Sequence, residues 1–160
     1  MNNLLRAMSI RGGDELDTPR DAVVPLIPYL PKQVWEPCPG RHALTRALTE
    51  LGGVCVIETY GDFLATEWPN VMCGAIVTNP PFSVKAKFIA RCSEIGRPWA
   101  LLLPVTTLGV RACQKHLREA EILFLPKRID FTGKKAPWFA VAWFTSGLGI
   151  GKQLNFLGET

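Results

Sequence analysis

Short apolar runs alternate with amphipathic stretches along most of this chain. Residues 33–36 (QVWE) form a β-like run that stops at Pro-Cys-Pro-Gly. The stretch RHALTRALTELGG then places Ala43, Leu44, Ala47, Leu48 and Leu51 on one helical face and ends at a glycine pair. Residues 54–58 (VCVIE) and 71–78 (VMCGAIVT) read as the second and third strands. Ser83 is placed to cap a helix whose Val84, Phe88, Ile89 and Cys92 share a face. A fourth strand, WALLLPV (99–105), leads into an expected helix through LGVRACQKHLREA. EILFLP (121–126) and WFAVAWF (138–144) complete the set without a helix between them. Apolar strands separated by amphipathic helices predict an α/β fold: a doubly wound, mostly parallel Rossmann-like sheet with helices on both faces. The last pair predicts one antiparallel strand near the C-terminus.

Ahead of the first strand, Thr18 followed by Pro19 and then Asp21 reads as a helix start, with the hydroxyl as cap. Prolines at 25, 28 and 31 keep that helix short. The 160 residues suit one domain with a real core, with 14–145 as its body and looser ends at 1–13 and 146–160. No apolar stretch reaches the ~18 residues of a membrane span. The opening MNNLLRAMSIRGG does not read as a signal peptide. Five scattered cysteines with no CxxC pair point to reduced thiols in a cytoplasm. His42 and His116 lack ligand-spaced partners, so no metal is expected. A net charge of +4 is compatible with an anionic partner and decides little alone.

Ligands of open parallel sheets sit beyond the carboxyl ends of the strands. The unusual polar residues fall there. Glu36-Pro37-Cys38-Pro39-Gly40 follows the first strand, Glu58 closes the second, and Asp62-Phe63 lies just beyond it. Asn79-Pro80-Pro81-Phe82 closes the third, where two prolines stiffen the turn. A glycine loop entering a helix brings backbone amides near an anionic group. An acid at the second strand can accept both hydroxyls of a ribose, and an Asp followed by Phe can bond an adenine amine and cover its face. These features outline an adenosine-containing pocket.

The ordered set DTP, EPCPG, IE, GDF and TNPPFS resembles the class I S-adenosylmethionine-dependent methyltransferases. It is most similar to the DNA adenine-N6 group, including small stand-alone forms like those of phage genomes. The resemblance implies that Asn79 and the Pro80 carbonyl accept hydrogen bonds from the base amine, with Pro81 stiffening the corner and Phe82 stacking on the base. It implies that Thr18 and Pro19 pack near the methionine end of the cofactor. Glu36, Pro37 and Gly40 would form the first glycine-loop motif, Glu58 the ribose acid, and Asp62 with Phe63 the adenine pair. A base in duplex DNA would have to be flipped out to reach that corner.

One departure stands out. The family usually carries a second glycine two residues after the first, and here that position is His42, preceded by Arg41. A side chain there narrows the approach to the cofactor or adds a cation beside its carboxylate. The chain also has no room for a separate target-recognition region. Lys85, Lys127, Arg128, Lys134 and Lys135 are candidate phosphate contacts, the last four flanking IDFTG. Two other readings stay open: the same chemistry on RNA or a protein glutamine amide, and a binder that keeps the fold without turnover.

Overall fold

In a computed structural model of the chain, the residues described are 16–69, 72–131, 139–151 and 154–156. Side chains of β1 (Gln33–Glu36), β3 (Ala75–Thr78) and β4 (Trp99–Pro104) are buried almost throughout, as expected of strands covered on both faces. Their apolar residues divide between two clusters with the period of two that a pleated strand imposes. Val34, Val77, Leu102 and Trp143 face one cluster, with Leu26, Leu44 and Leu48. Trp35, Ile76, Leu101, Leu103 and Phe144 face the other, with Phe88, Ile89 and Cys92. The first cluster is closed by α1 (Arg20–Val23), the 3-10 turn Val24–Tyr29 and α2 (Ala43–Gly52). The second is closed by α3 (Lys85–Ile95) and the short α4 (Arg111–Gln114).

With β2 (Cys55–Glu58), β5 (Glu121–Phe124), β6 (Val141–Ser146) and β7 (Leu154–Phe156), the described strands form one sheet of order β2-β1-β3-β4-β6-β5-β7. β1 pairs in parallel with β2 and β3, and β3 with β4. β6 runs antiparallel to both β4 and β5, so it alone among the described strands is reversed. The fold is the doubly wound, mostly parallel, Rossmann-like sheet that the pattern predicts. Its connections diverge on either side of β1, which opens a crevice at the carboxyl ends of β1, β2 and β3. No helix among the described residues is long and apolar enough to cross a membrane.

Several local expectations are corrected. Thr18 does not cap α1: the residue at that position is Pro19, and no side chain caps the helix. The residue flanking α3 is Val84, not Ser83, because the 3-10 turn Phe82–Val84 intervenes. The long helix expected after β4 is two short pieces, a 3-10 turn Val105–Gly109 and α4, separated by Val110 in extended backbone. Only Cys113 of α4 is buried, too little apolar face to hold a longer helix. The tail, read as loose, contributes β7 parallel to β5. The Glu121 carboxylate secures it by accepting from the backbone N–H groups of Ile150 (3.0 Å) and Gly151 (3.2 Å).

Candidate active site

The crevice holds a cavity of about 300 Å³. Its walls come from the segment before α1 (Leu16, Asp17, Thr18), the loop after β1 (Glu36 to Arg41) and the first turn of α2. Thr59, Tyr60 and Gly61 beyond β2 and Asn79 with Pro81 beyond β3 complete them. Of the residues predicted from sequence, Thr18, Glu36, Pro37, Gly40, Asn79 and Pro81 meet in this one space.

At the end of β3, the Asn79 amide nitrogen donates to the Leu16 carbonyl (2.9 Å) and to the Thr18 hydroxyl oxygen (3.0 Å). A backbone carbonyl can only accept, so this contact fixes which amide atom is nitrogen. Both N–H bonds are thereby spent on the N-terminal segment, and Oδ1 is turned the other way. Thr18, nearly buried at 5% exposure, serves this amide in place of a helix cap. Pro80 is buried behind the corner, and Pro81 holds φ −56° and ψ 124° at the entry to the 3-10 turn. The Phe82 ring meets Phe131 and Phe139 edge to face, with centroids 6.3 and 6.1 Å away.

At the end of β1, Glu36 is 1% exposed and accepts from the Cys38 N–H at 2.9 Å. Burial pushes its carboxyl up to about 8; the Thr78 hydroxyl and the Cys38 amide offset part of that rise, and the charge of Glu58 adds to it. The Thr78 hydroxyl is close enough to exert this effect, yet it forms no hydrogen bond of ordinary geometry. Gly40 turns with φ +51°, and a Cβ added there would meet nothing within 4 Å, so the loop is open toward the cavity. No side chain caps α2, and Ala43 and Leu44 of its first turn line the cavity.

At the end of β2 the arrangement reverses. Glu58, in register with Glu36, is not part of the cavity wall. Its Oε1 accepts from the Thr45 hydroxyl, and its Oε2 from the Tyr60 hydroxyl at 2.9 Å. His42 Nδ1 lies 2.9 Å from Oε1 and 3.0 Å from Oε2. Burial alone would raise the Glu58 pKa, but these hydrogen bonds outweigh it and hold the carboxyl below its ordinary value. Thr45 lies 13 residues before Glu58 and carries no sequence signal, and Tyr60 carries none beyond its nearness to that acid.

The remaining predicted residues sit elsewhere. Phe63 is 2% exposed and packs on Trp35 (5.5 Å between centroids) and Phe88 (4.8 Å), a core ring in this structure. Asp62 caps its own turn, with Oδ1 accepting from the Leu64 N–H at 3.0 Å. Pro19 follows Thr18 and does not line the cavity. Lys85 donates to the Phe82 carbonyl (3.2 Å), and Lys127 pairs with Asp21 at 2.8 Å in an exposed ion pair. Arg128 is exposed, while Lys134, Lys135 and Trp138 lie outside the described residues. Arg41 forms a two-pronged contact with Asp17 (2.8 and 3.1 Å) that ties the glycine loop to the segment covering the cavity.

No protein-family model matches this chain, and no curated protein matches it by sequence. Solved structures do match by shape. The 23S rRNA methyltransferase ErmE has a TM-score of 0.57 at 18% identity, covering 82% of this chain and 68% of that one. A type I restriction-modification methyltransferase subunit from Streptococcus thermophilus also gives 0.57, at 14% identity; the match covers 89% of this chain but only 47% of that subunit. A putative RNA methyltransferase from Pyrococcus horikoshii gives 0.51 at 14% identity, covering 89% and 95%. The chain shares the architecture of these methyltransferases. At these identities the likeness extends to architecture and no further.

Proposed function

We propose that this protein transfers a methyl group from S-adenosylmethionine to the N6 amine of adenine in DNA. The observation that carries the reading is the Asn79 amide, whose two donors are held by Leu16 and Thr18 so that its oxygen remains as an acceptor in a cleft shared with the glycine loop. An aromatic amine is a poor nucleophile because its lone pair is delocalised into the ring. Acceptors fixed at the Asn79 corner favour a pyramidal nitrogen and aim that lone pair out of the ring plane. Positioning of this kind accounts for much of the rate in transfers that need no covalent help from the protein. Phe82 offers the neighbouring ring on which a base can stack.

The residues on the opposite wall fit the cofactor. A cavity of about 300 Å³ lies at the lower end of the ~300–1,000 Å³ typical of small-molecule sites. The uncapped first turn of α2 suits a carboxylate, the open Gly40 turn lets backbone approach, and buried Glu36 places a carboxyl whose ionisation a neighbouring cation would favour. The bound group would supply an electrophilic methyl on a sulfonium. Among the fold relatives, two carry names of RNA methyltransferases and one that of a restriction-modification subunit, so RNA is the competing polymer.

The test is to express the protein in a host lacking adenine methylation and digest host DNA and RNA to nucleosides. N6-methyldeoxyadenosine in the DNA digest is the expected result. Modified adenine confined to RNA would overturn the DNA assignment. Unmodified nucleic acid, together with cofactor binding by the purified protein, would establish the non-catalytic reading instead.

A further inference from the structure

We infer that His42 is an internal occupant of the ribose-binding face of Glu58, so a nucleoside can use that acid only by displacing the imidazole. The inference rests on the cofactor reading above and adds to it a residue that sets nucleoside affinity.

The geometry is specific. A single nitrogen 2.9 and 3.0 Å from the two oxygens of one carboxylate lies in the fork between them. That is the direction from which a two-pronged donor, such as a vicinal diol, approaches. A carboxylate has about four acceptor positions, and Thr45, Tyr60 and His42 already draw on both oxygens. Thr45 sits on α2, whereas the His42 side chain is 44% exposed and Tyr60 stands 73% exposed at the rim, their rings 6.4 Å apart. The outer two can yield to a ligand. The Glu58 side chain, at 16% exposure, is screened from the cleft that Thr59, Tyr60 and Gly61 line.

The backbone gives an independent reason. His42 has φ 64° and ψ 17°, and it is the one non-glycine residue with positive φ among the described residues. An L side chain is disfavoured there, and glycine would adopt the same turn freely. A non-glycine residue stays in this region where its surroundings hold it there, and such residues cluster at functional sites. Here the side chain bonds both oxygens of Glu58 and, with Thr45 and Tyr60, helps hold that carboxyl below its ordinary value.

The test measures affinity of the full chain for adenosine, 2′,3′-dideoxyadenosine and S-adenosylhomocysteine by calorimetry. It compares the wild type with His42→Gly and with His42→Asn, a shorter residue that also tolerates left-handed backbone. Freeing the carboxylate fork should tighten adenosine and S-adenosylhomocysteine binding about tenfold, while dideoxyadenosine changes by less than about twofold. Diol-dependent tightening in either variant supports the inference. Adenosine affinity unchanged or weakened in both, with S-adenosylhomocysteine still bound, overturns it while sparing the cofactor reading. If folded wild type and variants bind none of the three ligands, the cofactor reading falls and this inference with it.

Discussion

The carboxyl ends of β3 and β2 bring polar side chains to either side of β1 and prepare them in opposite ways. Asn79 has its donors consumed by neighbours, which leaves an acceptor. Glu58 has its acceptors consumed by neighbours, which leaves little to offer. The contrast separates two meanings of an ordered side chain. One is fixed in the form its task requires, and the other is fixed by partners that an incoming ligand must replace. Glu36 stands between them on β1 and differs again, buried with little compensation and held near neutrality by that burial.

Removing the prepared acceptor should give the largest effect. Asn79→Ala should lower turnover by about 10²- to 10³-fold while changing S-adenosylhomocysteine affinity by less than about threefold, read from kcat and direct binding. Equal losses in both would move Asn79 to the cofactor side of the cleft. Next comes Glu36. Its folded pKa is raised from 4.5 to about 8, so its contribution to stability is complete below about pH 4.5 and is lost as pH rises through about 8. Denaturant unfolding of the wild type should therefore weaken by on the order of a few kcal/mol between pH 5 and 8.5 from this group. Glu36→Gln should flatten that decline, and an unchanged profile in the variant would assign it to other groups.

A smaller effect belongs to Thr18. Thr18→Val removes one of two acceptors that orient Asn79, and turnover should fall about five- to tenfold with KM nearly constant. A larger rise in KM than fall in kcat would place the hydroxyl against a ligand instead. The smallest concerns Tyr60, which is exposed and contributes one of three donors to Glu58. Tyr60→Phe should tighten adenosine by roughly two- to threefold. Weaker binding would mean that the phenol recognises the nucleoside itself.

Much of the framework was legible because burial writes itself into the chain as apolar runs. The strands from Gln33, Ala75, Trp99 and Glu121 all fall within the stretches marked by hydrophobic pattern. The helical faces carrying Leu44, Ala47 and Leu48, and Phe88, Ile89 and Cys92, are the buried ones, although Leu51 at the end of the first is 38% exposed. The cleft was legible in outline because its residues follow strands in order. What escaped was pairing at a distance. Thr18 reads locally as a helix cap, yet its partner lies 61 residues away. The resemblance gives Phe63 to an adenine face, yet its ring lies in the core between Trp35 and Phe88. His42 reads as a disturbance to the glycine loop, and nothing short of three-dimensional proximity joins it to a carboxylate 16 residues on. β7 escaped for a different reason: a glycine-rich tail carries no strand period, and Glu121 supplies its anchorage from outside.

Trp143 on the reversed strand β6 donates its indole N–H to the Ala22 carbonyl at 2.6 Å, a buried clasp spanning 121 residues. Ala22 follows within one turn the very segment that steers Asn79. The segment beside Asn79 is thus braced by β6, and a growing polypeptide gains this brace only when the penultimate described strand has arrived. An incomplete copy would carry the asparagine corner but leave its steering segment without that support.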